Sequence, residues 1–233
     1  MTRATASLAE RDARQRDLVP PQRLAACHAV VVGVGAVGRQ VALQLAAMGV
    51  PAMDLVDHDV AAVENLAPQG YHPADLGEAK VRATAAVCLA IHPDLKLAGH
   101  AEPFRRSSVR TLTCFGGEPA KELALFCCVD SIATRRLVWE SARHRLAFFA
   151  DGRMAAEVIR VLAVGDPAAD EHYASTLFAP EQAYAGACTA KSTIYTASIA
   201  AGLMVGQFAR WLRKLPLDRD LTLNLLSAEL SVT

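Results

Sequence analysis

Two hydrophobic periods take turns along the chain. Ala29-Val-Val-Val, between His28 and Gly33, is a short unbroken apolar run rich in β-branched residues, which predicts a buried parallel strand. Gly33-Val-Gly35-Ala-Val-Gly38 follows at once, and the helical stretch from there to Met48 is closed by Gly49. Ala52 to Asp57 predicts a second strand with acidic residues at its carboxyl end, and Glu78 to Ile91 a helix stopped by His92-Pro93. Further strands are expected over Lys96–His100, Leu123–Val129, Leu146–Ala150, Glu157–Val164 and Leu221–Leu226, with an amphipathic helix over Ile132–His144. Residues 102–118 carry no regular period. Asp166 to Ala187, with Pro167, Pro180 and Gly186, predicts a long loop, part of a crossover segment over 166–191. An uncharged helix from Ser192 to Ala209 follows it. The polar, arginine-rich residues 1–24 predict an amino-terminal helical arm ending near Pro20-Pro21.

Strands alternating with helices predict an α/β fold: a Rossmann-like, mostly parallel sheet with helices on both faces, in one domain over residues 1–233. The 233 residues are 52% hydrophobic, enough to fill a sizeable core and to exclude intrinsic disorder. Lys plus Arg (24) equals Asp plus Glu (24), so no basic footprint for nucleic acid is expected. The helix from Ser192 holds Thr193, Tyr195, Thr196, Ser198 and Gln207, polar content that predicts burial in protein and no membrane span. The amino terminus lacks the apolar core of a signal peptide. None of the six cysteines forms C-x-x-C, and the expectation is reduced thiols in the cytoplasm.

The unit of strand, G-x-G-x-x-G, helix, strand and Asp is a nucleotide-binding fingerprint in its proper context. Gly33 permits the tight turn, Gly35 lets phosphate approach the backbone, and Gly38 lets helix pack on strand. The helix amino terminus then offers free N–H groups and partial positive charge to phosphates. Asp57 lies about 20 residues further on, where an acid bonding ribose hydroxyls belongs. This much indicates an adenine nucleotide and leaves an NAD(P)-dependent oxidoreductase open.

The residues after Asp57 narrow the reading. Asp57-His-Asp59-Val-Ala-Ala-Val-Glu-Asn65-Leu-Ala-Pro-Gln69 resembles the D-x-D-x-V-x-x-x-N-L-x-R-Q stretch of the ThiF/MoeB/E1 superfamily. Arg11-Asp-Ala-Arg14-Gln15 is similar to that family's R-Y-x-R-Q, Gly77-Glu-Ala-Lys80 to its G-x-x-K, and Ile91-His-Pro93 to its I-N-P. Cys128-Val-Asp130-Ser131 is similar to C-x-D-N, and Cys188-Thr189 to the C-T element of the crossover loop. The order and spacing of these elements carry the resemblance. It implies a ThiF/E1-type domain that binds ATP and Mg²⁺ and adenylates the carboxyl terminus of a ubiquitin-like or sulfur-carrier protein with a flexible tail. It also implies roles: Gly33, Gly35 and Gly38 cradle the nucleotide, Asp57 holds the ribose, and Asp59 and Asn65 shape the site. Lys80 and Arg14 would stabilise the triphosphate, Asp130 would bind Mg²⁺, and Arg14 would reach a partner subunit's nucleotide in a homodimer.

The chain departs from that pattern at Pro68, which stands where the family has a phosphate-contacting arginine. Losing one charged transition-state donor costs on the order of 3 kcal/mol. Arg39, beside the glycine loop, and Arg153 are candidates to replace it; otherwise the chain is a slow enzyme or a non-catalytic, pseudo-E1 binding subunit. The two zinc-binding C-x-x-C pairs common in the family are absent. Cys188, in a loop before a helix and close to Lys191, is the candidate thiol for a thioester, with an E2-like protein as a possible further partner. Cys114 is a second candidate, and Cys27, Cys88, Cys127 and Cys128 are expected in apolar surroundings.

Overall fold

The computed structural model describes residues 10–112, 122–177 and 192–233, together with the backbone of 114–115 and 118–119. In chain order the elements are α1 (Pro21–Leu24), β1 (Cys27–Val32), α2 (Ala36–Met48), β2 (Ala52–Val56), α3 (Leu66–Gln69), α4 (Lys80–Ile91), β3 (Lys96–His100) and α5 (Ser108–Leu112). A two-stranded ribbon, β4 (Cys114–Phe115) with β5 (Glu118–Pro119), comes next. Then follow β6 (Glu122–Cys127), α6 (Ile132–Ala142), β7 (Phe148–Ala155), β8 (Val158–Val164), α7 (His172–Ser175), α8 (Ile194–Leu212), β9 (Asp220–Asn224) and β10 (Glu229–Val232).

Eight strands form one sheet in the order β10-β9-β8-β7-β6-β1-β2-β3. From β3 to β7 every pairing is parallel, and β8, β9 and β10 extend the sheet antiparallel. Parallel neighbours need helical crossovers, and these cover both faces. Alternate residues of β1 point to opposite layers. Ala29 and Val31 join the core under α2, α4 and α8, while Val30 and Val32 join the core under α5 and α6. The chain steps from β1 to β2 on one side and returns to β6 on the other, so β1 is the switch point. In such sheets the ligand crevice lies beyond the carboxyl ends of the strands at that point.

Local sequence explains most element ends. Gly49 closes α2 at φ 97°, a left-handed conformation open to glycine. Ser131 and Thr193 cap α6 and α8, their hydroxyls accepting from the N–H of Thr134 and Thr196. No described helix is long and apolar enough to cross a membrane. The residues of α8 from Ala197 to Leu212 pack against α2 and β7.

Three expectations are corrected. Of the described arm residues, Glu10 is in a 3-10 turn and 11–18 form successive turns with no α-helix, and Pro20-Pro21 starts α1 where it was expected to end a helix. Proline suits a first helical turn, whose N–H groups have no partner in the helix. Within the expected loop after Asp166 lies the short α7, held by the fully buried Tyr173. Strand β10, absent from the expected elements, pairs antiparallel with β9 at the sheet edge.

Candidate functional site

At the carboxyl end of β1 the three glycines meet different surroundings, and the differences separate their tasks. Gly33 has φ +86°, and a Cβ there would lie 2.8 Å from the Cys128 carbonyl oxygen. A Cβ on Gly38 would lie 1.8 Å from the Gly33 carbonyl oxygen, an impossible overlap. Both positions therefore require glycine for the turn and for seating α2 on the strand end. A Cβ on Gly35 would meet nothing within 4 Å. Gly35 caps α2, so that open side faces the region where free helix N–H groups can receive phosphate. The cradle fits a nucleotide phosphate chain.

Two acidic residues after β2 are tied to this loop. Asp57 Oδ2 accepts from the Val34 N–H at 2.6 Å, and Oδ1 accepts from the Asp59 N–H at 2.8 Å. The side chain thus joins the end of β2 to the glycine loop and has remaining lone pairs for a further donor. Lys80, at the start of α4, is buried, and its ammonium meets Asp59 Oδ2 at 2.8 Å. The Lys80 N–H also donates to the Asp59 carbonyl at 3.0 Å. The hydrogen bond from Lys80 holds the Asp59 carboxyl below its ordinary pKa, against an opposing effect of burial. Asn65 accepts from the Ala62 N–H at 3.0 Å through Oδ1, which fixes the turn before α3.

The β6 end completes the edge. The Cys128 N–H donates to the Val32 carbonyl at 2.8 Å, which seats the β6–α6 loop against the glycine turn. Asp130 follows two residues later, just before the α6 cap. The strand expected over Leu123–Val129 stops at Cys127 and the chain turns outward, so Asp130 is exposed. Its carboxylate has no hydrogen bond or ion pair among the described residues, and it sits near the positive end of α6. An unengaged carboxylate oxygen is the kind of ligand that Mg²⁺ takes. Asp57, His58 and Asp59 also bring ligand atoms within 4.8 Å of one another, but both carboxylates are already engaged by the contacts above.

Arg14 is not brought to this edge. Arg11 donates to the carbonyls of Ala46, Ala47 and Ile91, and Gln15 to that of Met48 at 2.7 Å. These are the carboxyl ends of α2 and α4, so the arm docks about 20 Å of helix away from its own glycine loop. Arg14, between those anchors, is exposed.

Of the two arginines considered as replacements at Pro68, Arg153 is committed elsewhere. Its Nε donates to Asp151 Oδ2 at 2.8 Å, and its Nη atoms to the Thr176 carbonyl and hydroxyl at 3.0 and 2.9 Å. Asp151 is fully buried and also pairs with Arg135, whose guanidinium donates to the carbonyls of Val129 and Gly152. Sequence reasoning missed this group. It holds the residue preceding Asp130 and ties it, through Arg153, to the segment after α7. Arg39 is buried beside Tyr71, whose hydroxyl donates to the Val34 carbonyl at 2.7 Å. Burial pushes the Tyr71 hydroxyl pKa up to about 12, so it stays protonated and remains a donor.

Cys188 lies outside the described residues, and the Cys114 side chain does too. Burial raises the thiol pKa of Cys27 and Cys88 to about 12 and raises those of Cys127 and Cys128 as well.

Among curated proteins, the chain is 37% identical over 129 residues to adenylyltransferase and sulfurtransferase MOCS3 of Mus musculus, covering 52% of this chain and 28% of the relative. The Bos taurus protein of that name is 34% identical over 156 residues, covering 60% and 34%. Ubiquitin-like modifier-activating enzyme 5 of Drosophila willistoni is 30% identical over 129 residues, covering 52% and 32%. The chain thus spans about a third or less of the length of these relatives. Among solved structures, PaaA superposes with a TM-score of 0.75 at 18% identity, covering 100% of this chain and 76% of that one. E. coli MccB with ATP gives 0.73 at 14%, covering 97% and 71%. At such identities the likeness is one of fold. The model of the ThiF family matches residues 10–230, and the chain belongs to that family.

Proposed function

We propose that the chain is an ATP-dependent, E1-like adenylyltransferase that activates the carboxyl-terminal carboxylate of a ubiquitin-like or sulfur-carrier protein. One observation carries the reading: at the strand edge a glycine cradle with an open side at Gly35 is bordered by the Lys80–Asp59 pair and by the unengaged Asp130 carboxylate. Family membership and the names of the relatives support it. An oxidoreductase gives no reason for Asp59, Asn65, Lys80 and Asp130 together.

In the proposed reaction Gly33, Gly35, Gly38 and the α2 amino terminus receive the phosphates of ATP, and Asp57 receives the ribose. Asp59 and Asn65 shape the surrounding loop. A carboxylate oxygen of the partner's tail attacks the α-phosphorus. The bond to the bridging oxygen breaks, and pyrophosphate leaves with its electron pair, so the tail remains as an acyl-adenylate. Negative charge builds on the nonbridging oxygens and on pyrophosphate, and fixed cations lower that barrier. Lys80 supplies one such cation, and Asp130 would hold Mg²⁺, which neutralises phosphate charge when bound. Arg14 supplies another to the second subunit of a homodimer; its docking far from its own cradle supports action in trans. The Cys188 thiolate then attacks the acyl carbon, forming a thioester as AMP departs, and an E2-like protein is the next acceptor. The whole chain acts as a single domain in the cytoplasm.

Pro68 favours a second reading, the pseudo-E1 that pairs with an active subunit. ATP–pyrophosphate exchange separates the two, with a β-grasp carrier ending in Gly-Gly as substrate. Exchange that depends on carrier and Mg²⁺, and falls in Lys80→Ala and Asp130→Ala, is expected. Its absence from a protein that unfolds cooperatively leaves the pseudo-E1. Thioester formation by Cys188→Ala would dispose of the thiol step alone.

A further inference from the structure

Four basic side chains are buried among the described residues: His28, Arg39, Lys80 and Arg135. Three of them face a carboxylate. His28 meets Asp54 at 2.6 Å, Lys80 meets Asp59 at 2.8 Å, and Arg135 pairs with Asp151. Arg39, 1% exposed, has no ion-pair partner among the described residues. Its Nη1 donates to Thr84 Oγ1 at 3.0 Å, and its guanidinium carbon lies 4.2 Å from the centre of the Tyr71 ring. Its Nε has no acceptor.

A guanidinium cannot relieve this burial by losing its proton. One hydroxyl and one aromatic face return only part of the hydration it gave up. Its position makes matters worse, because Arg39 lies in the first turns of α2, where the helix end already carries partial positive charge. The free protein thus concentrates two sources of positive potential beneath the glycine loop; the carboxylate bound to that loop, Asp57, accepts from the Val34 N–H and makes no ion pair with Arg39. The connection to that loop is short: Tyr71 packs on the guanidinium and bonds the Val34 carbonyl. Tyr71 also lies three residues beyond Pro68, where the resembling enzymes carry their arginine.

We propose that Arg39 is the counter-charge for the nucleotide's triphosphate, replacing the cation that Pro68 removes. The inference rests on the nucleotide reading above. Being covered, the guanidinium acts through the protein interior on phosphates seated at the cradle and does not touch them; it is a positioning residue. Interior charges are weakly screened, so contact is not required.

The test is a series of dissociation constants for adenosine, AMP, ADP and ATP, measured by calorimetry on the full chain, Arg39→Met and Arg39→Lys. A charge acting on phosphates predicts a loss in Arg39→Met that grows along the series, from under about twofold for adenosine to about tenfold or more for ATP. Arg39→Lys should recover most of the ATP affinity. The nucleotide-free unfolding midpoint of Arg39→Met should stay or rise, since a buried unpaired charge has been removed. Equal losses for all four ligands, or a lowered midpoint with no dependence on phosphate number, assign Arg39 to the scaffold and overturn the proposal. If Arg39→Met does not fold, Arg39→Gln carries the same comparison, and failure of both to fold also overturns it. Absence of binding by the unsubstituted chain instead overturns the nucleotide reading itself, a distinguishable result.

Discussion

Replacing Gly35 and Gly38 separately by alanine puts the reading of the glycine loop at risk, because the same methyl group meets opposite surroundings at two positions. At Gly38 the new Cβ would lie 1.8 Å from the Gly33 carbonyl oxygen, a backbone atom at the end of β1. Neither partner is a flexible side-chain tip, so α2 must move off the strand end by more than an ångström. Val37, Val41 and Leu45 of α2 belong to the core under that helix, so the shift opens packing along its length. A disruption of that kind costs about 3 kcal/mol or more. For a chain of this size each kcal/mol lowers the unfolding midpoint by about 2–4 °C, so Gly38→Ala should lose roughly 6 °C at least. At Gly35 the Cβ meets nothing within 4 Å, and the φ of −79° is open to every residue. Gly35→Ala should therefore fold with a stability change within about 0.5 kcal/mol.

Nucleotide should reverse that order. A ligand at about 100 times its dissociation constant stabilises a fold by roughly 2.7 kcal/mol. ATP with Mg²⁺ should raise the unfolding midpoint of the unsubstituted chain by several degrees, and Gly35→Ala should lose most of that increment while its free-state midpoint stays put. Thermal unfolding with and without ATP·Mg²⁺ reads both quantities from one sample. If Gly35→Ala is destabilised as much as Gly38→Ala, or keeps the full ATP increment, the open side at Gly35 is not where phosphate sits.

Three further outcomes follow from buried and paired charge. Asp151→Asn leaves the buried Arg135 and the half-buried Arg153 without their shared carboxylate and should cost about 3–5 kcal/mol in urea unfolding; a loss under about 1 kcal/mol would show that the group is not a paired-charge cluster. The Asp59 carboxyl is held below its ordinary value by Lys80, so its pairing contribution is complete above the unfolded-state pKa of roughly 3.9 and disappears as pH falls through the folded value. Asp59→Asn should accordingly flatten stability against pH on the acid side of about pH 5, and an unchanged acid limb would contradict the pairing. Burial raises the thiols of Cys27, Cys88, Cys127 and Cys128, so iodoacetamide at about pH 8 should leave all four unmodified in the native protein; peptide mass mapping that finds any of them carboxamidomethylated would contradict that burial.

What the sequence disclosed, and what it withheld, divides by the range of the interaction that fixes each feature. The ends of α2 and β3 were legible because Gly49 and the short apolar period act on their own neighbours. The glycine loop was legible in part for the same reason: a Cβ on Gly38 would strike the Gly33 carbonyl five residues back, whereas the obstacle at Gly33 is the Cys128 backbone, which only the fold supplies. Strand β10 was not, because its alternation, Glu229-Leu-Ser-Val232, lasts only four residues, all of them exposed at the sheet edge. Asp54 passed as one more acid near a strand end. In the fold it is buried between His28 of β1 and His100 of β3, neighbours that only parallel pairing supplies.

The same division runs through the candidate site. Lys80 and Asp59 could be picked out by motif, but their 2.8 Å pairing across the α4 amino terminus could not. The strand before Asp130 was expected to run to Val129 and stops at Cys127, since a strand's last paired residue depends on where its neighbours stop. Arg39 gave the weakest signal, an ordinary arginine in a helical pattern. Its peculiarity exists only after Tyr71 and Thr84 have closed over it with no carboxylate in ion-pair contact among the described residues. Motifs mark residues whose partner is the ligand. A residue that supports the ligand from beneath is identified by what the folded chain fails to place beside it, and that is a property of the tertiary structure alone.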